Sequence, residues 1–236
     1  DTAENGAAEK LPKITGDVIA AGAAMELFQS AFLIHDDIMD RDRQRRGAAT
    51  VFSQYAEEAR QENLPDADHM GESLGICAGD IAFFLAYEIL GRIAEEREKL
   101  AIDIDEAGTE AASNNARQSH DHSAIRDIGC APVLSLASRE LSYVGVAQML
   151  DVRWGNGADE VSVSDVLGLY RYKTGRYTFS LPLSSGALLA GADEEQRHRL
   201  EHIGELLGIV FQLKDDELGL FGDENAIGKP IGSDVR

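Results

Sequence analysis

Apolar residues recur along most of the chain at the three- and four-residue spacing of an amphipathic helix, and no run of alternating strand pattern competes with it. The spacing predicts a first helix from about Thr15 to Met39, with Thr15 or Asp17 near its N-cap. Gln44 to Gly71 is polar and loop-rich, with room for a short helix around Gln54 to Arg60. A long apolar helix follows from about Glu72 to Glu98, and Asp103 to Arg126 reads as a polar connection or a weak helix. Helical spacing returns from Ser135 to Trp154, through Leu141, Val144, Gln148 and Asp151. Asn156-Gly157 marks a turn, and Ser162 or Ser164 caps a helix from Asp165 to Leu183 that Pro182 lets end or bend. Asp193 caps the last helix, Glu194 to Phe221, with Ile203, Leu206, Leu207 and Val210 on one face. No repeat or long linker divides the chain, so residues 1–236 read as one all-α, single-domain bundle.

Composition narrows the partners. Acidic residues outnumber basic ones by 42 to 22, a net charge of −20, which argues against a nucleic-acid backbone or an anionic membrane surface as partner. An anionic substrate would therefore need divalent cations or a local basic cluster beside it. Cys77 and Cys130 fall in no CxxC or Cys/His spacing and read as buried free thiols of a reducing cytoplasm. No signal peptide opens the chain. Val18 to Ile34, the most apolar stretch, is interrupted by Glu26 and Gln29, which makes it a buried helix rather than a membrane span. The polar start without Met and the Gly-rich end read as the edges of a piece of a longer protein.

The candidate chemistry is acidic. Asp36 and Asp40 are four apart and share one helix face, with Asp37 turned partly aside. Three carboxylates at a helix C-terminus repel one another and oppose the macrodipole, a cost that a hard divalent cation such as magnesium removes. Taken alone, the spacing fits a solvated helix end equally well. Arg45-Arg46-Gly47 follows closely, and guanidinium groups pair with phosphate oxygens. A second acidic pair, Asp215-Asp216, sits on the last helix after Phe211-Gln212, with Glu217 and Asp223-Glu224 nearby. Lys173-Thr174 lies on the helix between, and Lys229 stands in a Gly-rich loop able to reach a phosphate.

In this order the residues resemble the trans-isoprenyl diphosphate synthases. The resemblance rests on Phe28-Gln29 through Asp36-Asp37-Ile38-Met39-Asp40, Arg45-Arg46-Gly47, Gln148 with Asp151, Lys173-Thr174, Phe211-Gln212 with Asp215-Asp216, and Lys229. It covers nearly the whole chain and implies antiparallel helices around a deep central cavity, the isoprenoid synthase type of fold, as a cytoplasmic homodimer. It also implies a prenyltransferase that joins an allylic diphosphate to isopentenyl diphosphate, head to tail. Asp36, Asp40 and Asp215 would hold magnesium, three ions with the bound diphosphate. Arg45, Lys173 and Lys229 would grip the leaving group, Gln29 and Arg46 would meet isopentenyl diphosphate, and Gln212, Thr174 and the Lys173 carbonyl would face the allylic cation.

The pattern departs from the family in two places. Gly219 stands where a third aspartate often closes the second motif, so its support is lost or passes to Asp223. The family's Gly-Lys-Arg element is absent upstream of Leu11 and is expected outside these residues. Ala31 and Phe32, one turn before Asp36, would set product length, giving geranylgeranyl or farnesyl diphosphate. Alternatives within the same fold are a longer-chain polyprenyl synthase, a terpene cyclase and a non-catalytic partner subunit. A di-iron carboxylate site would need two Glu-x-x-His motifs, and only Glu195 to His198 fits.

Overall fold

A computed structural model describes residues 16–112, 131–157 and 160–222. Helix α1 spans Gly16–Met39 and ends at Arg41, whose φ of 60° turns the chain. A two-strand hairpin follows, β1 (Gln44–Arg45) pairing antiparallel with β2 (Ala48–Ala49). Arg46 and Gly47 both have positive φ, 53° and 75°, the backbone that a two-residue hairpin turn requires. Next come α2 (Val51–Gln61), α3 (Ala67–Ala112), α4 (Ala131–Gly155) and α5 (Val163–Tyr170). A ten-residue π-helical stretch, Arg171–Ser180, runs directly into α6 (Leu181–Leu189), and α7 (Glu194–Phe221) closes the described chain.

The all-α expectation holds, with local corrections. The polar stretch after α1 is more ordered than its composition suggests, because the hairpin and α2 fill it. Helix α3 starts five residues before Glu72 and runs on to Ala112, well into the polar connection. The rest of that connection, together with Thr15, Cys130 and Lys229, lies outside the described residues. Ser162 and Asp193 each form a capping box, with Asp165 and Gln196. Pro182 neither ends nor breaks its helix. It falls where hydrogen bonding changes register, the Leu181 N–H having just reached back five residues to the Arg176 carbonyl, so the missing proline donor interrupts no regular ladder.

The core joins α1, α3, α4 and α6 through Ala24, Phe28, Leu90, Val133, Leu141 and Leu181. Only one face of α1 enters it, and Val18 and Ile19 are 40% and 65% exposed, so the expectation of a fully buried helix fails. By length and composition α1 and the Ala67–Lys99 part of α3 would each suffice to cross a membrane, and they pack against each other. Cys77 is a free thiol as expected but exposed on α3.

The apolar stripe of α7 also faces outward. Ile203, Leu206, Leu207 and Val210 are exposed, whereas Gly204, Glu205 and Gly208 are buried against the π-helical stretch. The apolar residues do share one face, but here backbone approach decides which face packs. A Cβ on Gly208 would lie 2.1 Å from the Gly175 Cα, so any side chain there must push two backbones apart. Gly208→Ala is expected to destabilise the fold by about 1–3 kcal/mol through overpacking. Because Gly175 follows Lys173-Thr174, thermal melting and catalytic rate measured together should fall together.

Candidate active site

The C-terminal turn of α1 opens onto a cleft of about 500 Å³. Its depth is apolar and aromatic, with Phe32, Leu33, Phe83, Val144 and Tyr177, while Asp36, Gln148, Arg153 and Lys173 stand at the polar end. Phe32 packs edge-on against Phe83 with ring centres 4.9 Å apart, and against Tyr177 at 5.0 Å. Burial pushes the Tyr177 phenol above its ordinary value, with polar neighbours Thr178 and Gln29 pulling against it. Of the two residues expected to set product length, Phe32 lines the cleft. Ala31 is fully buried in the helix packing and is not among the residues lining the cleft.

Asp36 accepts a hydrogen bond from Gln148 Nε2 at 2.9 Å, and Lys173 Nζ lies 3.5 Å from the same oxygen. Lys173 also donates to Asp151, one turn beyond Gln148 on α4. Burial pulls the Lys173 ammonium down, but Asp36, Asp151 and Asp40 outweigh it and hold its pKa above the ordinary value. Asp40 is largely open to solvent, with Asp36, Asp42, Asp151 and Lys173 as its charged neighbours. Partial burial and the Asp36 charge push its carboxyl up to about 6, against the pull of Lys173. The ammonium of Lys173 therefore occupies the negative well that the carboxylates create.

Arg45 is placed differently from expectation. The hairpin folds it back onto α1, where Nε and Nη2 each donate to the buried Asp37 at 2.7 Å. Burial holds the Asp37 carboxyl above its ordinary value, and Arg45 offsets that only in part. Asp37 thus anchors the arginine, and the guanidinium still lies within 4.0 Å of Asp36. Arg46 is exposed at the hairpin tip.

Across the cleft, Thr174 Oγ1 donates to Gln212 Oε1 at 2.9 Å, and Gln212 Nε2 donates to Asp216 at 2.9 Å. Tyr170 completes the chain by donating its hydroxyl to Asp216. Its phenol is pushed up to about 12, by burial first and then by the Asp216 carboxylate. Asp215, the expected ligand, is exposed on α7, and Gly219 is buried. Among the described residues no three carboxylates or histidines already converge into a metal cluster. Like charges on facing helices stay apart without a cation between them. The donors themselves are hard carboxylate oxygens, the type magnesium takes, so the residues present suit that ion. His198 sits outside this site, exposed and paired with Glu194 and Glu201, as a solvated face would have it.

Comparison with known proteins matches this geometry to one group. The sequence pattern of the polyprenyl synthetase family covers residues 5–236. The chain belongs to that family. A short chain isoprenyl diphosphate synthase of Methanocaldococcus jannaschii is 30% identical over 220 residues, covering 93% of this chain and 52% of that protein. A geranylgeranyl diphosphate synthase of Methanosarcina mazei is 31% identical over 229 residues, covering 97% and 56%. Among solved structures, the geranylgeranyl pyrophosphate synthase of Corynebacterium glutamicum, complexed with isoprenyl diphosphate and magnesium, aligns with a TM-score of 0.72 at 32% identity. That alignment covers 96% of this chain and 55% of the other. The chain spans about half the length of these polyprenyl synthetase relatives.

Sequence reasoning named Asp216 within the second acidic pair but missed Tyr177 and Tyr170 as parts of the site. Tyr177 carried a readable signal, since it lies four residues after Lys173 and shares its side of the stretch. Tyr170 did not, because its partner is 46 residues away.

Proposed function

We propose that this chain carries the active site of a trans-prenyltransferase that condenses an allylic diphosphate with isopentenyl diphosphate into a short-chain product, geranylgeranyl or farnesyl diphosphate. The observation that carries the reading is the make-up of the cleft: Asp36 paired with Lys173 in its lining, beside the packed rings of Phe32, Phe83 and Tyr177. Asp36, Asp40 and Asp215 would hold magnesium, which supplies Lewis-acid neutralisation of the diphosphate leaving group. Lys173 would turn from Asp36 and Asp151 to the diphosphate oxygens, adding positive charge where negative charge develops. Thr174 and Gln212 would present oxygens to the allylic cation. Phe32, Phe83 and Tyr177 would exclude water from it, so that the alkene attacks before hydrolysis. The released diphosphate can take the proton lost from the adjacent carbon, so no histidine base is needed.

Arg46 and Lys229 are assigned to substrate diphosphates on the resemblance alone, and Arg45 to the allylic one once its pairing with Asp37 loosens. Exposed apolar side chains on α1, α3 and α4, among them Ile19, Phe84 and Val146, support a homodimer that covers them, working in the cytoplasm as a single-domain subunit. The test is a product assay of the full chain with isopentenyl diphosphate and each allylic diphosphate, with and without magnesium. Magnesium-dependent incorporation is the expected result, and none with any allylic partner would sink the reading. Phe32→Ala removes the ring that closes the cleft against Phe83 and Tyr177. It should shift the product distribution on chromatography toward longer chains, and an unchanged distribution would refute that role for Phe32.

A further inference from the structure

We infer that Tyr170 and Asp216 form a positioning pair that fixes which end of the Gln212 amide faces the reacting centre. The inference rests on the functional reading above and goes beyond its residues. An amide side chain has two ends of similar shape and opposite polarity, and its orientation is set by its partners. A carboxylate can only accept, so Asp216 draws the NH₂ end of Gln212 toward itself, at 2.9 Å. The carbonyl end is thereby left for Thr174, whose hydroxyl donates to it at 2.9 Å. Tyr170 Oη donates to the second oxygen of Asp216 and holds the carboxylate in that place.

The result is one directed chain from Thr174 through Gln212 to Asp216, in which each donated proton points toward Asp216 and oxygen rather than hydrogen is left at the Thr174 end. A developing allylic cation beside Thr174 then meets oxygen. With the amide reversed it would meet the positive NH₂ end, and Thr174 would have to turn its proton toward the cleft to keep no donor facing a donor. Tyr170 sits at the junction of α5 and the π-helical stretch, four residues before Thr174, so the two side chains that control Gln212 are set by the same turn of backbone. The net charge of the site is unaltered by this device; only its polarity is directed.

Tyr170→Phe keeps the ring and removes the one donor. On the full chain kcat should fall about tenfold, the lower end of what supporting hydrogen bonds are worth at such sites, with KM for both diphosphates little changed. In a Gln212→Leu background, which has no amide to orient, Tyr170→Phe should have no further effect on kcat; an equal loss in both backgrounds would mean simple packing and would overturn the inference. Independently of turnover, the Gln212 side-chain amide proton signals, identified by their loss in Gln212→Leu, should be distinct and slow to exchange in the parent chain. In Tyr170→Phe they should move toward those of a free glutamine, and unchanged signals would overturn the pairing even if catalysis changed. A parent chain that condensed no substrates would refute the functional reading, while the amide signals would still decide the orientation.

Discussion

Asp36→Asn should lower the condensation rate by roughly 10³-fold, a loss of about 4 kcal/mol of transition-state stabilisation, while leaving the protein folded. Asp36 is where the cationic groups of the cleft meet: Gln148 and Lys173 share one oxygen and Arg45 approaches the other. The asparagine is nearly the same size and can still accept from Gln148 through its carbonyl. What it loses is the charge that a metal ion, and Lys173 before it, would answer. Removing one of several crowded carboxylates also relieves repulsion with Asp40 and Asp151, so the melting temperature of the metal-free variant should hold or rise. Rates of label incorporation from isopentenyl diphosphate, taken beside thermal melts in a chelator, separate the two effects. A variant that keeps more than a tenth of the parent rate would remove Asp36 from the metal–diphosphate site. A variant that unfolds would instead make Asp36 a structural partner of Lys173.

The part of the site that was legible in the sequence is the part carried by short spacing. Asp36 and Asp40 four apart and Gln212 four before Asp216 follow from helix geometry, and the structure has each where its spacing puts it. Contacts between segments were not legible. Nothing in the order of residues pairs Gln148 with Asp36, 112 positions away, or shows that Arg45 turns back onto Asp37. Which face of α7 packs was not legible for a related reason: apolar periodicity reports burial only where side chains make the contact. At Gly175 and Gly208 the backbones themselves make it, and the glycines that permit this looked like interruptions of the pattern. The π-helical stretch left no mark either, since its residues have ordinary helical spacing until a widened turn places Lys173, Thr174 and Tyr177 together about the cleft.

Arg176→Met is expected to be the most damaging substitution to the fold itself. Arg176 is 8% exposed and donates to three carboxylates from two helices: Glu140 on α4 at 2.5 and 2.8 Å, Glu201 on α7 at 2.6 Å, and Glu205 on α7. Its guanidinium also lies 5.7 and 5.9 Å from the ring centres of Tyr143 and Tyr172. Methionine fills much of the same space, so the damage is electrostatic. Glu140 and Glu205 are 1% and 5% exposed, and each would keep one further arginine, Arg139 and Arg171. Even so, stripping the central cation from buried carboxylates typically costs about 3–5 kcal/mol. That is a large share of a total stability of roughly 5–15 kcal/mol, and about 2–4 °C of melting temperature goes with each kcal/mol at this size. Adding Glu140→Gln and Glu205→Gln should recover part of the loss, because neutral side chains in the same places no longer need a cation; no recovery would put the loss down to packing. The network also predicts an acid limb. Burial pushes Glu201 up, but Arg176 and His198 hold its pKa below the ordinary 4.5. A depressed folded-state pKa gives stability that is present above the unfolded value and is lost as pH falls through the folded one. The parent should therefore lose this contribution on acidification below about pH 4.5. Arg176→Met, already without the cation, should show a shallower acid limb in melts recorded across that range. Because Arg176 lies three residues after Lys173, loosening it should disturb the cleft before the bundle melts, and activity should fail at a lower temperature than helicity does.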